Sequence, residues 1–395
     1  EVGHLTLGAG KILYQHFPRI GLAIKDGSFF KNEVLLNAFA HARENNSQVH
    51  LIGLLTDSGV HAHLDHLQAL LKLADENNSP NINLHLFTDG RDTAPKSAIK
   101  LIEKIPQEKI VSMGGRFFAM DRDSHWERTT RAYEALANGK SQMANGKQSP
   151  SELLTSSYDR GLTDEFIEPV TLRSERTVKD NDSVIFFNFR EDSIRQLVEM
   201  FVNPRTGSDP ETGEEQIHEI PKNLHIATFT EYGRRFNLPA AFGSEAIVNP
   251  LGKVLSDAGK VQLRVAETEE YAHVTYFFNG LVEPPFKNEY RVLIPSRDIA
   301  RMDEFPEMMA SEITTRVVSA LNEGVYDFIL VNYANPDMIA HTGNFNAAVQ
   351  AVRAVDTAVG ALMKTVLTHN HILTITSDHG NVERMVDPRT GLKET

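Results

Sequence analysis

Cysteine is absent from the 395 residues, which excludes disulfides, thiolate metal ligands and a cysteine nucleophile. No apolar run approaches the roughly 18 residues that a membrane span needs. The first residues, Glu1-Val2-Gly3-His4, carry neither the basic start nor the apolar core of a signal peptide. Cytoplasmic residence away from membranes is therefore the expectation. Excess positive charge is missing too: the net charge is −13. That argues against a nucleic-acid binder, because affinity for a phosphate backbone needs a positive face. A small anion held by a local arginine cluster is still permitted. Repeats and low-complexity tracts are lacking as well.

What is present is an alternation of apolar, β-rich runs with helical stretches. Strands are expected at 49–56, 82–88, 110–113, 183–189, 224–229, 261–266, 273–278, 291–294, 328–333 and 372–376. Helices are expected at 64–76, 97–104, 126–137, 307–323 and 344–366. The alternation predicts an α/β protein with mostly parallel strands, and the length favours two domains. Segments 138–182 and 203–222 read as surface excursions, with a hinge near 239–242. In such sheets functional groups collect beyond the carboxyl ends of strands.

Two Asp/His pairs stand at such ends. Asp337 and His341 follow the run Phe328-Ile329-Leu330-Val331, and an i, i+4 spacing on a helix puts both on one face. Ser377-Asp378-His379-Gly380 follows Ile372–Thr376, and Gly380 permits the sharp turn that lets both side chains face one way. Taken alone, each pair also reads as a capped turn with a surface histidine. Together, as oxygen and nitrogen donors without sulfur, they favour Mn²⁺, Mg²⁺ or Zn²⁺. A two-metal site of that kind activates an oxygen nucleophile and polarises a phosphoryl group.

A second constellation lies upstream. His61 belongs to the stretch after one strand, and Thr88-Asp89-Gly90-Arg91-Asp92 follows the next. Arg116, Arg122, Arg128 and Arg190 follow two more. Guanidinium forks match phosphate and carboxylate oxygens bidentately. The alternative is a solvated network with Asp89, Asp92, Asp121, Asp123 and Glu127.

The motifs Glu1-Val2-Gly3-His4-Leu5, Thr88-Asp89-Gly90-Arg91-Asp92-Thr93, Ala119-Met120-Asp121-Arg122-Asp123, Asn335-Pro336-Asp337 and Ser377-Asp378-His379-Gly380-Asn381 occur in one order. In that order the chain resembles the cofactor-independent phosphoglycerate mutases of the alkaline phosphatase superfamily. The resemblance implies an alkaline-phosphatase-like domain, 1–14 with 241–395, and an inserted phosphotransferase domain, 15–240, with substrate held between them. It implies interconversion of 3- and 2-phosphoglycerate through a phosphoserine, with two Mn²⁺ (or Zn²⁺, Mg²⁺ or Co²⁺) and without 2,3-bisphosphoglycerate. Asp337 and His341 would bind one ion, Asp378 and His379 the other. His61, Arg91, Arg122, Arg128 and Arg190 would hold the substrate, and Asp92 would be general base on the glycerate hydroxyl. A monomer is implied. A metal-dependent phosphatase or phosphopentomutase, and a non-catalytic degenerate homologue, are the alternatives.

The chain also departs from the family pattern. The nucleophilic serine would stand just before Glu1. An upstream aspartate ligand and a histidine after Asp387-Pro388-Arg389-Thr390-Gly391 would also fall outside the chain. The expectation is a fragment with little turnover of its own, weak Mn²⁺ binding and a weakened sheet. Glu270 stands where the family usually has lysine, and Ser193 where it usually has a second arginine.

Overall fold

The computed structural model describes residues 1–77, 79, 81–138, 148–208, 215–243, 247–299 and 301–386. Parts of the two expected surface excursions, 139–147 and 209–214, lie outside these residues, as does the motif Asp387–Gly391. The chain forms two compact units, one from 14–244 and one from 1–13 with 245–395.

The unit 14–244 contains strands β1 (Val49–Leu55), β2 (Ile82–Thr88), β3 (Ile110–Gly115), β4 (Val170–Thr171), β5 (Ser183–Phe186), β6 (Arg205–Ser208), β7 (Glu215–Ile217) and β8 (His225–Thr228). Six of them make one sheet in the order β4-β3-β2-β1-β5-β8, parallel except for β4. Every residue of β1, β2 and β3 is buried. Strands covered on both faces read as unbroken apolar runs, which is why they were legible in the sequence. Helices Glu33–Glu44, Leu64–Glu76 and Arg195–Val202 contribute Phe39, Leu67, Leu70 and Phe201 to the core around them.

Polar side chains cross the middle of this sheet in one chain of hydrogen bonds. Ser112 Oγ is 2.8 Å from His85 Nδ1, His85 Nε2 is 2.8 Å from His50 Nδ1, and His50 Nε2 is 3.1 Å from Asp182 Oδ2. The Asp182 carboxylate can only accept, so His50 donates from Nε2 and accepts at Nδ1. His85 in turn donates from Nε2 and accepts from Ser112. With both imidazoles neutral the chain is satisfied throughout, and the strand register is tied to that arrangement.

The unit 1–13 with 245–395 holds a smaller parallel sheet, with β9 (Gln262–Glu267) between β10 (Glu289–Ile294) and β11 (Phe328–Val331). Helices Ala310–Glu323 and Phe345–Thr368 contribute Ile313, Val317 and Leu362 to its core. Arg264 of β9 is fully buried, its guanidinium 4.8 Å from the ring centre of Phe278 and 5.2 Å from that of Phe328.

Two expected strands are corrected. His273–Phe277 is a helical turn, in which Val274 and the following Phe278 are buried at a spacing of four, the helical period rather than the strand period. The run 372–376 pairs with no strand among the described residues, and Ile372 and Ile375 are 93% and 66% exposed. Its composition suits a strand, but a strand forms only where another supplies its hydrogen bonds.

Candidate active site

In the unit 14–244, the loops after β1, β2, β3 and β5 emerge from the carboxyl edge of the sheet. Asp89 organises the loop after β2. Its Oδ1 accepts from the backbone N–H groups of Arg91 (3.2 Å) and Asp92 (3.0 Å), and its Oδ2 from Thr56 Oγ1 (2.6 Å). Gly90 turns this loop at φ +66°, and a Cβ there would lie 2.8 Å from the Glu165 nitrogen. Arg116, at the start of the short helix after β3, gives one guanidinium nitrogen to both Asp89 Oδ1 (2.7 Å) and Asp92 Oδ2. Burial acts to raise the Asp89 carboxyl, but bonds from Thr56, the Asp92 N–H and Arg116 outweigh it and hold the group below its ordinary value.

His61 lies between two carboxylates, with Nε2 3.9 Å from Asp92 Oδ2 and Nδ1 3.8 Å from Asp192 Oδ1. Burial, reinforced by the charge of Arg116, lowers its pKa to about 4, so the imidazole is neutral at pH 7. Its carbonyl accepts from the backbone N–H groups of Phe189 and Arg190, tying the loops after β1 and β5 together. Asp192 Oδ2 accepts from Arg122 Nη1 (3.0 Å) and from Arg190 Nε (3.1 Å) and Nη2 (2.9 Å). The imidazole of His61 thus lies between two hydrogen-bonded groups, Arg116 with Asp92 and Asp192 with Arg122 and Arg190. Arg91 points a largely exposed side chain toward Glu165 at 3.7 Å. Arg128 bonds Asp121 Oδ2 at 3.1 Å and lies over the Phe117 ring, so these two arginines stand outside both groups.

In the other unit, Asp337 sits in the first turn of helix Asn335–Ala340, with Pro336 preset for that turn. His341 Nε2 is 3.4 Å from Asp337 Oδ2, and His379 Nδ1 is 3.9 Å from Asp337 Oδ1. His379 Nε2 is 3.5 Å from Asp378 Oδ2, which also lies 2.9 Å from His4 Nδ1. Gly3 allows that approach, since a Cβ there would lie 2.3 Å from the Asp378 carbonyl oxygen. Burial acts to raise the Asp378 carboxyl, but the His4 bond and the nearby imidazoles outweigh it and hold the pKa at about 2. All four predicted donors therefore meet in one cluster. Their oxygen and nitrogen chemistry fits hard or borderline divalent cations, as two pairs of donors. Among the described residues no group of three or more His, Cys, Asp or Glu closes around a common point.

Comparison with known proteins adds the lineage. Residues 20–234 match the family described as BPG-independent PGAM N-terminus. A 2,3-bisphosphoglycerate-independent phosphoglycerate mutase of Clostridium novyi is 46% identical over 403 residues, covering 99% of this chain and 77% of that protein. The chain belongs to the BPG-independent phosphoglycerate mutase family. A mutase of the same description from Ectopseudomonas mendocina is 44% identical, covering 100% of this chain and 77% of its own. A crystal structure of Leishmania mexicana phosphoglycerate mutase at low cobalt concentration matches with a TM-score of 0.54 and 27% identity, covering 99% of this chain and 74% of that one. The fold is accordingly alkaline-phosphatase-like with an inserted domain.

Within this mutase family chain, sequence reasoning missed three groups that organise the clusters. Asn381 donates from Nδ2 to Asp337 Oδ1 at 2.8 Å and so braces one donor. Arg116 was seen only as one arginine among several, and Asp192 not at all. An acidic residue two positions after Arg190 was the available signal. Glu270, where the resemblance leads one to expect lysine, lies close enough to Asp378 and Asp337 to feel their charges. Its Oε2 lies 3.1 Å from His273 Nδ1 and accepts from Asn332 Nδ2 at 3.3 Å. Burial, then the charges of Asp378 and Asp337, push its pKa up to about 7. Ser193 donates both N–H and Oγ to Asp192 Oδ1, at 2.8 and 3.1 Å.

Proposed function

We infer that this chain serves the interconversion of 3- and 2-phosphoglycerate without 2,3-bisphosphoglycerate. The observation that carries the reading is the set of arginines gathered around Asp92 and His61, in a chain 46% identical to a mutase of that description. Phosphoglycerate carries a carboxylate and a phosphate, and Arg122 and Arg190 offer forks for such oxyanions, with Arg91 and Arg128 as further expected contacts. Asp92 takes the proton of the glycerate hydroxyl as that oxygen attacks the phosphorus of the phosphoserine, whose P–O bond to the serine oxygen breaks. Neutral His61 hydrogen-bonds the substrate without adding charge. Calorimetric titration with 3-phosphoglycerate tests this. R190A is expected to bind roughly tenfold to hundredfold more weakly than the wild type. A wild-type chain that leaves 3-phosphoglycerate unbound would remove the reading.

Asp337 with His341, and Asp378 with His379, are the residues that would hold two divalent cations, Mn²⁺ first, with Zn²⁺, Mg²⁺ or Co²⁺ as alternatives. Bound there, such ions polarise a phosphoryl oxygen and lower the pKa of an oxygen nucleophile. Asn381 then orients Asp337 from behind. D337N is expected to lower Mn²⁺ affinity by about tenfold or more, read by the electron paramagnetic resonance of free Mn²⁺. Equal affinity in both proteins would take Asp337 out of the site. The same reading makes the protein a cytoplasmic monomer acting on a free small molecule. Among the described residues no helix is long and apolar enough to cross a membrane.

A further inference from the structure

Every charged group around His61 has a visible partner, but the partners differ in kind. Arg116 is 7% exposed and spends its charge on Asp89 and Asp92, so it cannot turn to a ligand. Arg122 and Arg190 have side chains 54% and 48% exposed, and both aim at one oxygen of Asp192. They come from segments on different strands of the sheet, after β3 and after β5. A small oxyanion between two such forks would make the contacts that Asp192 Oδ2 makes now.

We propose that Asp192 is a built-in surrogate for the ligand's anionic group: it holds Arg122 and Arg190 together, and phosphoglycerate must share or displace it. The carboxylate does not depend on the arginines for its position. Its other oxygen, Oδ1, is fixed by the N–H and hydroxyl of Ser193. Asp192 thus remains beside the arginines after a ligand arrives, as a negative charge facing an incoming dianion. Its repulsion weakens binding of every anion, and most that of the most highly charged one. The inference rests on the phosphoglycerate reading for the identity of the ligand, not for the anion site.

D192N tests it, because the amide keeps an oxygen for Ser193, removes the charge and turns an NH2 instead of an oxygen toward the two arginines. Calorimetry is run on the whole chain with 3-phosphoglycerate and, separately, with inorganic phosphate, at low and moderate salt. D192N is expected to bind both anions about three- to tenfold more tightly at low salt, the gain shrinking as salt screens these half-exposed charges. Glycerate, a carboxylate with one negative charge, should gain less than either phosphate, since the repulsion scales with the ligand's charge. D192A serves as the second variant, with a thermal melt confirming that each is folded. Equal or weaker anion binding by folded D192N overturns the proposal and makes Asp192 a group that only orders the arginines. If phosphate tightens while neither protein binds 3-phosphoglycerate, the surrogate anion stands and the phosphoglycerate reading falls. If wild type binds 3-phosphoglycerate and D192N binds it no better, the function stands and the surrogate anion falls. If neither anion binds either protein, both are refuted.

Discussion

Replacing Arg116 by methionine is expected to cost about 3–5 kcal/mol of stability at pH 7, the usual consequence of leaving buried charge without its partner. The side chains of Arg116 and Asp89 are 8% and 0% exposed, so solvent cannot take over the role of the guanidinium. Two carboxylates converge on that one group, and Asp89 in turn holds the backbone of Arg91 and Asp92. Methionine fills a similar volume, so the loss reads the charge rather than a cavity. The pH dependence identifies the cause. Asp89 has a folded pKa below its unfolded value, so its stabilising contribution is present above the unfolded pKa and is lost as pH falls through the folded one. Without Arg116, burial is left to push the Asp89 carboxyl up, so in the variant it takes up a proton as pH falls and the deficit against wild type should shrink between pH 7 and pH 4. Urea unfolding at both values measures it. A deficit under about 1 kcal/mol, or one of equal size at both pH values, would show that Arg116 does not neutralise these carboxylates. R116K should recover part of the loss, since an ammonium restores charge but cannot reproduce a planar fork serving two partners.

Both the strands carrying this site and the loops beyond them were visible in the sequence for one reason. Strands buried on two faces are mostly apolar, so 49–55 and 82–88 stand out despite His50, Asn83 and His85 within them, and chemistry-bearing residues directly after them mark the carboxyl edge. The four cation donors were legible because Asp337 and His341 share a helix face and Gly380 ends an extended run. What could not be read depended on convergence. Nothing local links Asp192 to Arg122, or His50 to His85 and Ser112, because these meet only through strand order and register. Helix Val2–Ala9 was missed for a different reason. Gly3 and Gly8 lower helix propensity, yet they are the residues that let the helix approach the backbone of Asp378 and Phe278. The run His273–Phe278 shows the converse error, where β-branched and aromatic residues suggested a strand and burial at a spacing of four made a turn of helix.

Acidification from pH 7 to pH 5 is expected to destabilise the unit 14–244 by about 2 kcal/mol from each of His61 and His66, with a further loss in the same direction from His50 and His85. Burial lowers His66 to about 3 and His61 to about 4, and it lowers His85 and His50 as well, in His50 against the opposing pull of Asp182. The sign follows from proton counting. In the unfolded chain each imidazole takes a proton near pH 6.5, whereas in the folded unit it does not, so the unfolded state binds more protons and stability falls as pH falls below 6.5. Geometry supplies the reason that His50 and His85 resist. Protonating both sets two N–H donors against each other across 2.8 Å, inside strands whose every residue is buried. Typical domain stabilities of about 5–15 kcal/mol leave little after such a loss, so partial unfolding by pH 5 is expected. Glu270 works the other way, since its raised pKa means that its unit gains stability as the carboxyl takes up a proton, so a whole-chain probe would blur the result. Trp126 is the sole tryptophan and belongs to the unit 14–244, so its fluorescence follows the right transition during urea unfolding. A midpoint that stays level between pH 7 and pH 5 would mean that these imidazoles already exchange protons in the folded state, and the hydrogen-bond chain from Ser112 to Asp182 would then not be locked in the neutral form. A steep fall that H66Q alone leaves nearly intact, smaller only by that one residue's share, would assign most of the effect to the ladder and to His61.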